Sequence, residues 1–515
     1  MKRRILPWSI SIVLVVISFA PVRADVDPDL LAKAQAYEER LRANHVPEYG
    51  GIVQVVYDTA DLLNVWFYKG QGDSTMWTAT YGAAESFRYA TTGEEEAKQN
   101  AIAAVNTLRD HLRVTQTEGY IGRYMGPLAD PAFWLDYYGS EILRYGEGPW
   151  LGTFYLSNSS SDQYIGFFHG LSIIYDFIDD EPTRVLIREM IKEVIDKLQQ
   201  SHWLILNEEG LPTTAAPIID GTKRLVFLLI AAHIIDTTEY WDLYAEQFEE
   251  IKPTLPLTSI SFFNKYTEYF AFNLKHQIFY NLFRLEPDAE RLRFYFDTFM
   301  RQGRRLVEWT HNVYFDFVYL VGCERLGLCD EEYAIMADAV NSLTVFQDPP
   351  NREIHIDPPQ LPVDPVSVVL VQLQEWLGLG DLLDFQIQSK DPQEIQNRCR
   401  VEYLWQRTPY ALQCYGYWDS HILPGVDYLM GYWMGRYYDY LEPHALPDDD
   451  SGDDDAADDD TLADDDQADD DQNIDDDAGD DAGDDDQAGD NDQAGDNDEA
   501  AESDRASQGD DGCGC

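Results

Sequence analysis

The sequence predicts an all-α protein built from pairs of helices, and three observations carry that reading. Apolar residues recur at the three-to-four spacing of a helix through most of residues 25–446. Helix-start signals precede those runs: Thr92-Gly93-Glu94-Glu95 resembles a capping box, and Glu181-Pro182 and Glu286-Pro287 place proline in a first turn. Aligning these starts exposes a repeat in which a first helix rich in aromatic and small residues leads into an amphipathic second one. Neighbouring pairs of that kind bury each other's faces.

Taken in order, Met1–Ala24 reads as a secretory signal. Lys2, Arg3 and Arg4 form its charged start, Ile10–Phe19 its apolar stretch, and Val22-Arg23-Ala24 a cleavage site before Asp25. An apolar stretch that short falls well below the roughly 20 residues that span a bilayer. Helices are expected at Leu30–Arg42 and Ile52–Phe67. The first repeat unit then runs from Asp73-Ser-Thr-Met-Trp77 through Phe87 to a helix at Glu94, with Ala97, Ala101, Ala104, Val105 and Leu108 on one face. The second runs from Asp162 through Tyr175 to Glu181, and the third from Lys265–Arg284 to Glu286. Further helices are expected at Asp220–Ile235, Glu239–Glu250, Asn312–Leu326, Glu331–Phe346, Pro365–Leu377 and Val426–Leu441, with hardly any alternating strands.

A tandem of helix pairs is either an open solenoid or a closed ring. Open arrays keep a strict short period. Here the spacing is irregular, and a segment such as Leu225–Ile235 is almost unbroken in its hydrophobicity, which suits the inside of a ring. The segments Gly72-Asp-Ser-Thr-Met-Trp-Thr78 with Tyr89-Ala-Thr-Thr-Gly-Glu94, Ser161-Asp-Gln-Tyr-Ile-Gly166, and Pro424-Gly-Val-Asp-Tyr-Leu429 with Tyr432-Trp-Met-Gly-Arg-Tyr437 resemble the six-hairpin glycosidase-like proteins. That resemblance implies an (α/α) toroid of about six helical hairpins over Tyr49–Leu441, with a carbohydrate cleft at one rim near the starts of the inner helices. It points to no single family.

Charge is uneven. The chain of 515 residues has 37 Lys+Arg against 94 Asp+Glu, a net charge of −57, and Pro447–Cys515 alone holds 32 acidic residues against Arg505. No basic stripe exists to neutralise phosphates, so nucleic-acid binding by that route is excluded, as is a polybasic membrane anchor. Residues 447–515 contain no aromatic residue and are expected to be a self-repelling, disordered spacer. Their Asp-Asp-Asp-Gln-Ala units and Gly-Cys-Gly-Cys end resemble tails of surface proteins from deltaproteobacteria-like lineages. That resemblance implies possible envelope attachment, and weak Ca²⁺ association with the Asp runs is compatible with their charge, without an EF-hand loop. Export suits the six cysteines; among Cys323, Cys329, Cys399 and Cys414, which allow three connectivities, 323–329 and 399–414 are the simplest pairings. Neither pair has the spacing of a zinc site, and HExxH, GxGxxG, P-loop and GxSxG motifs are absent. No metal and no cofactor are expected.

The helix starts supply the candidate chemistry. Glycosyl transfer needs two carboxyls in different protonation states, and Asp73, Asp162 and Glu268 stand where such a pair would cross a cleft. Asp220 stands at a similar start, and an Asp before a helix is also the favoured cap. His311 is the candidate base among the histidines, with Asn312 beside it as a substrate-binding residue. His169 and His276 read as core. Trp77 is a platform on which a sugar ring stacks. A lyase would use Arg123 to neutralise a uronic carboxylate and Tyr124 or His311 to remove the proton. The expectation is an exported protein acting on a polysaccharide or oligosaccharide as glycoside hydrolase or lyase. The alternative is a non-catalytic glycan- or protein-binding surface module.

Overall fold

In a computed structural model the chain is described over residues 27–255, 264–352, 361–379, 385–398, 408–412 and 419–441. The expected signal segment 1–24, the Cys399–Cys414 pairing and the acidic stretch 447–515 lie outside the described residues. The first helix, α1 (Pro28–Asn44), starts where the Asp27 carboxylate accepts from the Asp29 and Leu30 backbone N–H groups at 2.9 and 3.4 Å. Four helix pairs follow: α2 (Ser74–Thr92) with α3 (Glu95–Val114), α4 (Ser161–Phe177) with α5 (Glu181–Gln200), α6 (Gly221–Ile235) with α7 (Thr238–Ile251), and α8 (Ala271–Leu285) with α9 (Ala289–Phe299). Then come α10 (Val313–Leu326), α11 (Glu332–Val345), α12 (Pro365–Leu377) and α13 (Val426–Tyr437).

The first members of the pairs form a closed inner ring. α2 packs on α4, α4 on α6 and α8, α6 on α8, α8 on α10, α10 on α13, and α13 back on α2. Around them lie α3, α5, α7, α9, α11 and, completing the pair of α13, the N-terminal α1. The sequence pattern explains the two layers. Every residue of α4 from Ser161 to Ile174 is buried, as is every residue of α2 from Ser74 to Arg88, whereas α3 and α5 bury one face and expose the other. The expected (α/α) toroid of six hairpins is therefore the fold.

Inner helices approach closely where glycine permits it. A Cβ on Gly170 would lie 2.3 Å from the Ala79 carbonyl oxygen, and one on Gly166 would lie 2.7 Å from Met76 Cα. The small residues that make α4 look like a core segment are what bring it against α2.

Several expectations need correction: Lys265–Phe270 lies ahead of α8, which starts only at Ala271, and Pro287 precedes the Asp288 cap of α9 instead of lying in its first turn. Ile52–Phe67 is not a helix but the hairpin β1 (Gln54–Tyr57) and β2 (Val65–Lys69), turned at Asp58, whose N–H donates to the Asn64 carbonyl at 3.0 Å. Val53, Val55 and Val56 are β-branched and all buried, so the run satisfies a fully buried strand as well as a helix face. The capping box is also absent. Thr92 is the last residue of α2, Gly93 terminates it at φ +71°, and the Thr92 hydroxyl accepts from the Glu94 N–H at 3.1 Å.

The remaining strands are β3 (Tyr124–Pro127), β4 (Leu143–Tyr145), β5 (Thr153–Leu156), β6 (Asn351–Arg352) and β7 (His421–Leu423). They form two small antiparallel sheets, β2-β1-β7-β6 and β3-β5-β4. β2 feeds α2, β5 feeds α4 and β7 feeds α13, so both sheets sit at the rim where inner helices begin. Cys323 and Cys329 form the expected disulfide, with Cα atoms 4.8 Å apart. Among the described residues no helix is long and apolar enough to cross a membrane.

Candidate functional site

The rim is built around Asp73. Gly70, at φ +74°, turns the chain out of β2, and the Asp73 N–H donates back to the Gly70 carbonyl at 3.2 Å as α2 begins. The Asp73 carboxylate makes no hydrogen bond to its own helix. It is instead held from the next pair: Gln163 of α4 donates its Nε2 to Asp73 Oδ1 at 3.3 Å and accepts the Met76 N–H at 3.2 Å. Arg123 completes the setting, donating to the Gly72 carbonyl at 3.0 Å and the Asn158 carbonyl at 2.9 Å. Burial pushes the Asp73 carboxyl up to about 6. The negative charge of Asp162 adds to the rise, while the Arg123 guanidinium and the Gln163 amide oppose it.

Asp162 occupies the first turn of α4, buried, and accepts from the Ser161 hydroxyl at 3.2 Å. Ser161 in turn accepts from Lys223 Nζ at 3.1 Å, and Lys223 pairs with Asp220 at 3.0 Å. Glu268 is exposed, in the turn ahead of α8 rather than on the helix expected there. Partial desolvation, and then the charge of Asp162, raise its pKa, while Lys275 opposes the rise. Lys275 donates to Asn264 Oδ1 at 2.8 Å, and burial brings its ammonium down to about 8 against the pull of Asp220 and Glu268. Asp162 thus acts electrostatically on both Asp73 and Glu268.

Other expected residues have different surroundings. His311 donates through Nδ1 to the Asp338 carboxylate at 2.7 Å, and that bond raises its pKa. Asn312 caps α10, accepting from the Phe315 N–H at 3.2 Å. The Tyr269 hydroxyl donates to Thr310 Oγ1 at 3.4 Å, tying the turn that bears Glu268 to the loop that bears His311. Tyr124 is fully enclosed with Val53, Phe133, Phe154 and Leu156. His276 stacks on Phe315 at 3.9 Å and His169 meets Asn281 at 2.9 Å, both in the core as expected.

Trp77, expected as a stacking platform, is instead buried in the main core one helical turn beyond Asp73, where it forms part of the wall of a small hollow between β1, β7 and the start of α13. Exposed aromatics flank the same rim: Trp66 on β2 and Tyr138, whose neighbour Tyr137 accepts the Gly72 N–H through its hydroxyl at 3.0 Å. Sequence reasoning missed Gln163, Lys223 and Lys275. Lys275 had a visible signal, a lone lysine within the apolar run Phe270–Leu285. Gln163 had none, because its partners lie almost 90 residues away. Among the described residues no group of three or more His, Cys, Asp or Glu side chains is placed to hold a metal ion.

The fold and rim define a ring of six helix pairs, with Asp73 and Asp162 at the starts of two inner helices and Glu268 in the turn ahead of a third. No protein-family model matches the chain, and no curated protein does. Among solved structures, one titled "Crystal structure of D-mannose isomerase" aligns with 81% of this chain and 97% of its own at 11% identity and a TM-score of 0.41. A likeness that remote carries no argument about this chain's chemistry.

Proposed function

We propose that the protein is an exported glycoside hydrolase that uses this rim for acid–base chemistry on a carbohydrate. The observation that carries the proposal is Asp73: a carboxyl at an inner-helix start, unused as a cap, held near pH 6 by burial and a second acid. In this reading Asp73 gives its proton to the leaving glycosidic oxygen, and Glu268, reached by solvent, activates the water or attacks. Asp162 keeps the proton on Asp73 by its charge. The exposed Trp66 and Tyr138 offer the aromatic surface that a sugar's C–H face requires. Hydrolysis is favoured over elimination, because the enclosed Tyr124 hydroxyl has no access to a uronic proton and Arg123 is engaged with two backbone carbonyls. Export is supported by the charged-then-apolar Met1–Ala24 segment and by the Cys323–Cys329 disulfide. The acidic 447–515 stretch then serves as a spacer.

The test is incubation of the full chain with neutral and acidic polysaccharides, reading reducing ends and unsaturated products in parallel. New reducing ends are expected, reduced about 100-fold or more in Asp73→Asn and in Glu268→Gln. Unsaturated products would replace the hydrolase by a lyase. Glycan retained without any cleavage would replace it by a binding module.

A further inference from the structure

The helix α12 (Pro365–Leu377) turns its polar side inward and its apolar side to solvent. Ser367 is buried, donating to the Asp364 carbonyl at 2.7 Å and accepting the Gln388 N–H at 3.1 Å. Gln374, on the same face, accepts the Phe385 N–H through Oε1 at 2.8 Å. Asp364 caps the helix and accepts from the Tyr266 hydroxyl at 2.8 Å, which holds α12 beside the turn that bears Glu268. On the opposite side Val366, Val369, Leu373 and Trp376 are exposed, from 40% at Val366 to 80% at Trp376, with exposed Leu377 beside them. A contiguous apolar row of that kind marks an interaction surface. Its spacing of three, four and three residues is that of a coiled-coil seam, along which one helix packs on another.

The row itself selects its partner. Residues 361–379 contain no Lys or Arg, so the cationic face that seats a helix on a membrane is missing. A basic protein would find a single acid, Glu375, beside the seam. An uncharged row is matched by a second uncharged row, and the twofold contact between two copies sets α12 antiparallel to itself. With the twofold axis at Val371, Trp376 falls on the partner's Val366 and Leu373 on the partner's Val369, so a large side chain meets a smaller one in every layer. A parallel pairing would instead set Trp376 on Trp376 and Glu375 beside Glu375. We propose that the protein forms a twofold dimer through α12, with Val366, Val369, Leu373 and Trp376 as its seam. The helix has 13 residues, about 20 Å of length. Two such helices bury roughly 1,000 Å² in total, the low end for a specific interface, so the dimer forms at about 10–100 μM. Each chain carries a net charge of −57 and the copies repel, so salt strengthens the pair. The dimer stands apart from the carbohydrate chemistry of the rim.

The experiment is sedimentation velocity on the full chain from about 1 to about 200 μM, in about 0.05 and about 0.5 M NaCl. A reversible monomer–dimer equilibrium is expected, about fivefold tighter or more in the higher salt. Leu373→Lys and Val369→Glu are each expected to weaken it about tenfold or more. An equal mixture of the two variants is expected to regain association, because the antiparallel pair brings those two positions of different copies together with opposite charges. Circular dichroism checks that each variant folds, and should a charged one fail, Trp376→Ser is read the same way for loss of the dimer. A chain that stays monomeric throughout this range in both salts overturns the proposal. So does a dimer that the substitutions leave intact, or a mixture of folded variants that regains nothing. Monomer that floats with phosphatidylcholine vesicles, and no longer does so as Leu373→Lys, would replace the second copy by a lipid surface.

Discussion

Asp73 and Asp220 are the same residue type at the starts of two inner helices, and their surroundings give them opposite fates. Asp220 accepts from the Thr222 and Lys223 N–H groups at 3.0 and 3.3 Å, so it caps α6. Asp73 makes no such bond. Asp220→Ala is therefore expected to lower stability by about 1 kcal/mol with binding at the rim intact, measured by denaturant titration. Asp73→Asn is expected to do the opposite. The folded Asp73 carboxyl, at about 6, is raised above its ordinary value of 3.8. Its contribution to stability is full below that ordinary value and lost as pH rises through about 6. At pH 7 the asparagine variant should be as stable as wild type or more so, while losing activity. That Asp73 and Asp162 stand at inner-helix starts was legible in the sequence, though several helices begin with an acid. Which of them caps was not, because the answer lies in the orientation of one carboxylate.

At the scale of elements, the outer helix α1 is locked to α2 and α3 by a buried acid pair. Glu85 accepts from Asn100 Nδ2 at 2.8 Å and Arg88 at 3.2 Å, while Glu38 accepts from the Tyr81 hydroxyl at 2.6 Å. Burial, and then the neighbouring Glu38, raise Glu85 well above the ordinary 4.5, and burial raises Glu38 too, against Tyr81 and Arg88. Both shifts are upward, so the pair stabilises most below about pH 4.5 and less as pH climbs through the folded values. Glu85→Gln should flatten that alkaline decline in melts across pH 4–9, and a decline of unchanged slope would contradict the account. Close packing gives a second expectation. Gly170→Ala drives a methyl onto the Ala79 carbonyl and should cost about 1–3 kcal/mol. The helices themselves were legible because their period runs over four or five turns. Ile52–Phe67 was not, because a short run of buried valines has no period that distinguishes strand from helix.

Over the whole molecule, ring closure joins the two ends of the described chain: α1 packs beside α13, and α13 beside α2. The repeat announced helix pairs and their apolar inner members announced a ring, yet no repeat supplied α1 as the sixth outer helix. The rim chemistry was legible only as single residues, because Gln163 reaches Asp73 across a whole helix pair. The central claim is that Asp73 donates a proton from a site tuned by its neighbours. The pH dependence of polysaccharide cleavage tests it most directly. A proton donor titrating near 6 predicts an alkaline limb there, moved to lower pH in Asp162→Asn and to higher pH in Arg123→Gln. A rate that is flat through pH 6, or a limb that neither substitution moves, would contradict the account.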